Sequence, residues 1–225
     1  YEQAVKAFIE RLLLQPEGLS LRTEMYEAAQ CIAPAGALNG LAQCLLKLTS
    51  PGIPDIYQGC EGWDLSLVDP DNRRPVDYAH HQQMLDADLS PQALLADWRS
   101  GAVKQAMIAR TLNLRARHPQ LFSRGRYIPL EVRGENADHL VAFARQWNEQ
   151  VAVIVVPRLI ANYTQKHTLM LGKTPIWSET FIELPFDGID LKFKGFFDSP
   201  AVTTNRTLRV SDALDTFPVT LMINT

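Results

Sequence analysis

The chain has 225 residues, a formal net charge of -3 and 46% hydrophobic residues, which is typical of a globular protein of one or two domains. It contains neither a long uninterrupted apolar run nor a basic segment followed by an apolar one, so we expect no membrane span and no signal peptide. Lys and Arg are scattered rather than clustered, so we also expect no nucleic-acid partner.

The N-terminal part of the sequence is predicted to be helical. Apolar residues recur every three or four positions there. The predicted helices cover residues 1–14, about 20–32, and 35–48. Pro16-Glu17-Gly18 and Pro34-Ala35-Gly36 predict breaks between them. The helical pattern is already established at Tyr1, without a preceding Met, so we expect this chain to be part of a longer protein.

A short apolar segment and a long loop follow these helices. Residues 52–57 come after a break at Ser50-Pro51, and their length and β-branched content predict one buried strand. From Gly59 to Asp77 the sequence is rich in Gly, Asp, Asn and Pro and has no period, which predicts a long ordered loop. Because α/β barrels place their sites at the carboxyl ends of strands, this loop is the first place to look for function.

The rest of the chain changes from helical to strand periodicity. Further helices are predicted at 79–87, 91–99 and 103–117, the last ending before His118-Pro119. Beyond a boundary expected near Ser123-Arg124-Gly125, short strands separated by turn residues predict a small β-sandwich. The predicted strands are 127–132, 140–147, 151–156, 168–170, 181–184, 189–193, 207–210 and 219–223.

The cysteines and acidic residues predict no metal site and no cofactor. Cys31, Cys44 and Cys60 are odd in number and match neither a disulfide framework nor a CxxC metal pair, which favours reduced thiols and a cytoplasmic location. Residues 69–72 are similar to the start of a calcium loop. However, Arg73 stands where a third oxygen ligand belongs, so we assign no calcium.

The loop 58–77 holds the kinds of side chain that bind sugars. A sugar presents many hydroxyl groups and one apolar ring face, which require polar partners and an aromatic platform. Another interpretation stays open, in which Arg–Asp pairs such as one made by Arg74 only hold the loop together. The candidate substrate-binding residues are Tyr57, Gln58, Glu61, Trp63, Asp69, Asp71, Asn72, Arg73 and Arg74.

Three segments carry a specific pattern: 33–52, APAGALNGLAQCLLKLTSPG; 54–59, PDIYQG; and 64–77, DLSLVDPDNRRPVD. Together they closely resemble the maltooligosyl trehalose synthase family. Gly40 stands where this family is expected to have Ser, and Cys60 and Gly62 also depart from the expected pattern. A weaker similarity continues to the end of the chain, through 118–122, 127–130, 139–145 and 217–219.

The resemblance implies an α-amylase-superfamily enzyme with an intramolecular glucosyltransferase activity. Such enzymes convert the reducing-end α-1,4 linkage of a maltooligosaccharide into an α,α-1,1 linkage. The expected fold class is α+β: residues 1–124 would be the C-terminal portion of a (β/α)₈ TIM barrel, and 125–225 an all-β C-terminal sandwich domain. Strand 53–57 would then be the eighth barrel strand and 103–118 the last barrel helix.

The resemblance also implies that the chemistry is completed elsewhere. The nucleophile and the acid/base carboxyl group are expected upstream, so no catalytic residue is assigned to this chain. The expected partners are a maltooligosaccharide substrate and the missing N-terminal portion of the barrel. Trp63, Asp69, Asn72 and Arg73 are the candidates for holding the released glucose while it turns.

Two alternatives to this function remain open. Barrel ends are similar across the α-amylase superfamily, so the parent protein could be another hydrolase or transglucosidase. The chain could instead be a carbohydrate-binding module with no chemistry. The products formed from a maltooligosaccharide would distinguish the first alternative, and the sequence upstream of Tyr1 would distinguish the second.

Overall fold

A layer of helices covers one face of a large antiparallel sheet, and a small sheet covers part of its other face. The structure is a computed structural model. It describes residues 1–67, 69–164, 169, 175–186, 191–197, 199–204 and 206–225. The predicted strand at 168–170 therefore lies outside the described residues, apart from Leu169.

Seven α-helices form in the described part of the chain, and most begin and end close to the predicted residues. The predictions for 1–14, 79–87 and 103–117 are confirmed to within a residue at each end. The helices are α1 (Glu2–Leu14), α2 (Leu19–Thr49), α3 (Tyr78–Asp86), α4 (Pro91–Ala96), α5 (Ala102–Arg117), α6 (Pro119–Ser123) and α7 (Val210–Ala213). Single 3₁₀ turns cover Pro16–Gly18, Asp71–Arg73, Trp98–Ser100, Ala137–His139, Ala161–Tyr163 and Pro175–Trp177.

The predicted break at residues 34–36 is wrong, because α2 runs through Pro34 as one helix of 31 residues. A proline inside a helix costs about 3 kcal/mol. From Pro34 onward, however, one side of α2 enters the core, and Leu38, Leu41 and Leu45 are all 0% exposed. Burying each leucine contributes roughly 1.5–3 kcal/mol, so packing outweighs the local preference for a break.

The strands form two antiparallel sheets. They are β1 (Arg126–Pro129), β2 (Val132–Gly134), β3 (Leu140–Trp147), β4 (Gln150–Pro157), β5 (Thr180–Glu183), β6 (Leu191–Gly195), β7 (Val202–Thr204), β8 (Thr207–Arg209) and β9 (Thr220–Asn224). The large sheet has the order β1-β3-β4-β9-β6-β7, and the small sheet has the order β2-β5-β8. The predicted strand 127–132 is divided, since β1 joins the large sheet and β2 the small one.

The predicted buried strand at 52–57 does not form. Ile53 is 98% exposed, and the segment pairs with no strand in the described part of the chain. A strand needs a neighbour to satisfy its backbone groups, and the two sheets are built entirely from residues after 125. Its apolar composition alone is therefore insufficient to make it a strand here.

The two faces of the large sheet belong to two different hydrophobic cores. Alternate side chains of a strand point to opposite faces. On β3 and β4, Phe143 and Ile154 pack with the helices, whereas Ala144 and Val153 pack toward the small sheet. Both central strands are therefore covered on both sides, which explains their nearly continuous burial.

A buried arginine joins the helical layer to the sheet. Arg145 on β3 is 1% exposed, and its Nη1 donates to the Thr49 carbonyl oxygen at the end of α2 over 2.9 Å. Its Nη2 donates to the carbonyl oxygens of Phe122 and Gly125, also at 2.9 Å. Burial lowers the pKa of Arg145, and the positive charge of Arg115 lowers it further. The guanidinium group thus satisfies carbonyl groups at helix ends that would otherwise lack partners.

The N-terminal helices expose a large apolar surface. None of the residues of α1 is buried, and Phe8 and Leu14 are 62% and 75% exposed. The first half of α2 continues this surface with Met25 and Ile32. By length and composition the stretch Pro16–Thr49 could also cross a membrane, but half of its apolar window is buried in the core, so this is weak evidence.

Candidate functional site

The loop 58–77 lies beside the N-terminal half of α5, which holds its first part in place. Lys104 donates from Nζ to the carbonyl oxygens of Cys60 and Gly62, both at 2.9 Å. On the same helix, Gln105 donates to the His81 carbonyl oxygen at 2.8 Å, which fixes α3 just beyond the loop. Because α5 is packed on the core, these bonds give the loop a rigid support.

Trp63 is turned toward the helices rather than away from the loop. Its Nε1 donates to the Trp98 carbonyl oxygen at 2.6 Å, and its half-buried ring packs on the helical core. Two glycines make room for it. A Cβ at Gly40 would lie 3.2 Å from Trp63 Cζ3, and a Cβ at Gly101, whose φ is +85°, would lie 2.9 Å from Trp63 N. The Trp63 contacts are those of a residue that holds the loop.

The exposed end of the loop is held by ion pairs within the loop. Arg73 forms a two-point contact with Asp69, at 2.7 and 2.8 Å. Arg74 pairs with Asp71, whose other oxygen accepts from the Leu67 amide at 3.2 Å. Exposed ion pairs contribute about 0–1 kcal/mol each, so their guanidinium groups can change partner at low cost.

Asp64 fixes the turn between the two halves of the loop. It accepts hydrogen bonds from the Ser66 hydroxyl and amide groups and from the Cys60 thiol. The Ser66 bonds hold the pKa of Asp64 below its ordinary value, so this carboxylate stays charged at neutral pH. Burial and the hydrogen bond to Asp64 raise the pKa of Cys60.

The other predicted site residues lie along the same loop with few contacts. Gln58 accepts from the Tyr78 hydroxyl group at 3.3 Å, and Tyr57 is 46% exposed. Glu61 is half-buried and Asn72 is exposed, and neither side chain makes a hydrogen bond to another described residue. These two groups therefore have hydrogen-bonding capacity that the described chain leaves unused.

A depression of about 200 Å³ opens between the two ends of the loop. Of the predicted site residues it brings together Gln58, Asp71, Asn72 and Arg74. Trp63 does not line it, and Arg73 lies instead at a shallower hollow on the outside of the loop. The structure therefore divides the predicted set into residues at this depression and residues elsewhere on the loop.

Sequence reasoning missed the residues that position the loop. Lys104 and Gln105 belong to a regular helix with no motif, and Lys104 is separated from Cys60 by 44 positions. Trp98 acts through its backbone carbonyl group, which no sequence pattern reveals. The one available signal was Gly101, because a glycine directly before a helix often marks a backbone conformation that other residues rarely adopt.

Comparisons with known proteins give the family. The chain matches no protein-family model. A Mycobacterium tuberculosis H37Rv protein named maltooligosyl trehalose synthase is 38% identical over 164 residues, which are 73% of this chain and 20% of that protein. The structure of maltooligosyltrehalose synthase from Arthrobacter ramosus is 32% identical and has a TM-score of 0.72. The similarity covers 100% of this chain and 26% of the Arthrobacter ramosus chain.

A more distant structure, also named maltooligosyl trehalose synthase, shares the fold with a TM-score of 0.65 at 19% identity. This chain spans only about a fifth to a quarter of the length of these relatives. The similarity nevertheless extends over the helices, the loop and both sheets. The chain belongs to the maltooligosyl trehalose synthase family and corresponds to the C-terminal part of its members.

Proposed function

We propose that the longer protein containing this chain is a (1→4)-α-D-glucan 1-α-D-glucosylmutase. It would convert the reducing-end α-1,4 linkage of a maltooligosaccharide into an α,α-1,1 linkage and so act in trehalose biosynthesis. The observation that carries this proposal is the similarity of the entire chain to the Arthrobacter ramosus enzyme, at 32% identity. This chain would supply one wall of the active site.

We further propose that residues 1–124 complete a (β/α)₈ barrel and that 125–225 form its C-terminal β-sandwich domain. In this arrangement the segment 53–57 would become the eighth barrel strand by pairing with strands of the preceding part of the protein. The exposure of Ile53, at 98%, supports this proposal, because an apolar β-branched side chain is rarely left fully exposed without a partner.

The exposed apolar surface of α1 and of the first half of α2 supports the same assembly. Large continuous apolar patches on a protein usually mark an interface. Phe8, Leu14 and Met25 belong to this surface, and the relatives are roughly four times as long as this chain. We therefore propose that the preceding part of the protein packs against this surface and forms one folded unit with this chain. We also propose that the whole protein is cytoplasmic.

In the proposed mechanism, the two parts of the protein have different roles. Retaining transfer uses one carboxylate as a nucleophile and a second carboxyl group as acid and then base. Both would lie upstream, and the loop 58–77 would hold the released glucose and exclude water from the glycosyl intermediate. Gln58, Glu61, Asn72 and Arg73 are among its exposed or half-buried polar groups.

Product analysis of the longer protein tests this function. With maltopentaose, a mutase would remove the reducing end without releasing free glucose, and the product would keep five glucose units. Release of glucose or maltose as the main product would instead identify a hydrolase. The 225-residue chain alone should give no conversion above a blank, because the nucleophile and the acid/base are absent from it.

A further inference from the structure

A second polar cavity lies at the other end of α5 from the loop 58–77. It is an open cavity of about 620 Å³ between the start of α6 and the tip of the β3–β4 hairpin. We call it the hairpin cavity, and its lining includes His118, Gln120, Trp147, Asn148 and Gln150. With a rise of about 1.5 Å per helical residue, Lys104 at the loop and His118 at the cavity are about 20 Å apart.

The aromatic side of the cavity is held rigidly. Trp147 is half-buried and packs on the core beside the helices. It pairs with Gln150 across the hairpin, whose turn residue Asn148 has a φ of +53°. Asn224 on β9 accepts from the Val151 amide at 2.7 Å and donates to the Glu149 carbonyl oxygen at 2.8 Å. These bonds hold the backbone of the hairpin that carries Trp147, while the indole ring contacts both the core and the cavity.

Most polar side chains of the cavity are exposed and unpaired, and Glu61 and Asn72 in or beside the depression of the loop are likewise unpaired among the described residues. Gln120, Asn148, Glu149 and Gln150 make no side-chain hydrogen bond to another described residue. His118 Nδ1 is buried and has no hydrogen-bond partner in the described part of the chain. The exposed amide side chains, rather than this enclosed ring atom, are the groups that can bond a ligand without breaking an existing bond.

A neighbouring cavity shares part of this lining. The neighbour has a volume of about 570 Å³, shares Arg117 and His118 with the hairpin cavity, and is lined also by Asn113 and Asn224. Both volumes lie in the range of roughly 300–1,000 Å³ that holds small-molecule ligands. Charged side chains also line the neighbour, so the hairpin cavity alone is the candidate site for an uncharged ligand.

We propose that the hairpin cavity binds the internal glucose units of an α-1,4-glucan, as a site separate from the loop 58–77. Trp147 stacks on the apolar face of one glucose ring, and the amide groups of Gln120, Asn148 and Gln150 bond its hydroxyl groups. The lining has three amides beside one carboxylate and one guanidinium group, whose charges balance, which favours a neutral polyhydroxyl ligand over an anion. The choice of glucan rests on the proposed function.

Binding of β-cyclodextrin to the longer protein tests the proposal. This closed ring of α-1,4-linked glucose has internal units but no reducing end, so its binding reports on the cavity without requiring turnover. Trp147→Ala should weaken binding, measured by calorimetry, by about tenfold, as expected for loss of an aromatic platform. Trp147→Tyr should restore most of the affinity. Tyr26→Ala, which removes an aromatic residue of α2 outside the cavity lining, should leave it unchanged.

Two amide variants keep the test decisive if Trp147→Ala fails to fold. Gln120→Ala and Gln150→Ala remove side chains that bond no described residue, so they should fold normally and each weaken binding several-fold. Equal cyclodextrin affinity in these variants and in the unmodified protein would overturn the proposal. A failure of the proposed function is seen separately, as the absence of mutase products from the longer protein.

Discussion

The loop 58–77 and the hairpin cavity lie at opposite ends of α5 and contain similar kinds of side chain, but they use them differently. In the loop, Asp64, Asp69 and Asp71 are bonded within the loop, and Trp63 is bonded to a backbone carbonyl group. In the hairpin cavity, the amide side chains have no partner among the described residues. Composition therefore identifies a polar region, but only contacts separate groups that fix a shape from groups that remain available to a ligand.

The comparison predicts that removing Trp63 has the largest effect on stability. Trp63→Ala should lower the free energy of unfolding by about 3 kcal/mol, at the low end for a truncated aromatic residue because this ring is half-buried. Urea unfolding followed by circular dichroism measures the change. In the 225-residue chain, where Phe8 is 62% exposed, Phe8→Ala is the matched control and should change it little.

A stability change of similar size in the two variants would show that Trp63 does not hold the loop. Trp63→Phe refines the result, because it keeps most of the ring but loses the hydrogen bond to the Trp98 carbonyl oxygen. Trp63→Phe should lower the free energy of unfolding by about 1 kcal/mol.

Substitution of Lys104 should have the next largest effect on the free energy of unfolding. Lys104→Met keeps the length of the side chain and removes both hydrogen bonds to the loop carbonyl groups. Since hydrogen bonds to charged groups contribute about 1.5–3 kcal/mol, a loss near the lower value is expected at this half-buried position. Lys6→Met on the exposed α1 is the control. If both substitutions have equal effects, the anchoring role of Lys104 is wrong.

Much of the architecture could be predicted because it depends on local patterns. The helices α1, α3 and α5 follow from apolar spacing, and the change from helices to strands near residue 125 follows from the change of period. The failures have a common cause in tertiary packing. Burial of leucines carried α2 through Pro34, and the absence of a paired neighbour left 53–57 without strand structure.

The position of the candidate site stays a prediction, and the structure adds contacts that the sequence could not reveal. The Gly, Asp, Asn and Pro content of residues 59–77 and their lack of a period predicted a loop, and the described residues of this segment form one with several specific contacts. Whether Trp63 faces outward or inward depends on Gly40, Gly101 and the Trp98 carbonyl group, which are distant in sequence. No sequence pattern distinguishes Trp147, because it is the last residue of an ordinary strand.

The smallest expected effect is a difference between the alkylation rates of the three cysteines. Burial raises the pKa of Cys44 from its ordinary value of 9.0, and only the thiolate form is alkylated. At pH 8, iodoacetamide should therefore modify the exposed Cys31 first, the half-buried Cys60 next and Cys44 last. Mass spectrometry of timed samples gives the order. Equal rates for Cys44 and Cys31 would contradict the burial of Cys44.

The same pKa shift gives a direction for the pH dependence of stability. A raised pKa in the folded state means that folding favours the neutral thiol. The contribution of Cys44 is then fully present below its unfolded pKa, near 9.0, and is lost as the pH rises through the higher folded value. Stability should fall above about pH 9, and Cys44→Ala should remove that part of the decline.

The most direct test of the central claim, that the loop 58–77 lines the active site, is the product ratio of Arg73→Ala in the longer protein. Arg73 and Asp69 have side chains that are 66% and 58% exposed, so losing their ion pair should change stability by less than about 1 kcal/mol. If Arg73 holds the migrating glucose, the ratio of rearrangement to hydrolysis should fall and free glucose should rise, because water intercepts the glycosyl intermediate. An unchanged ratio in the folded variant would contradict the account.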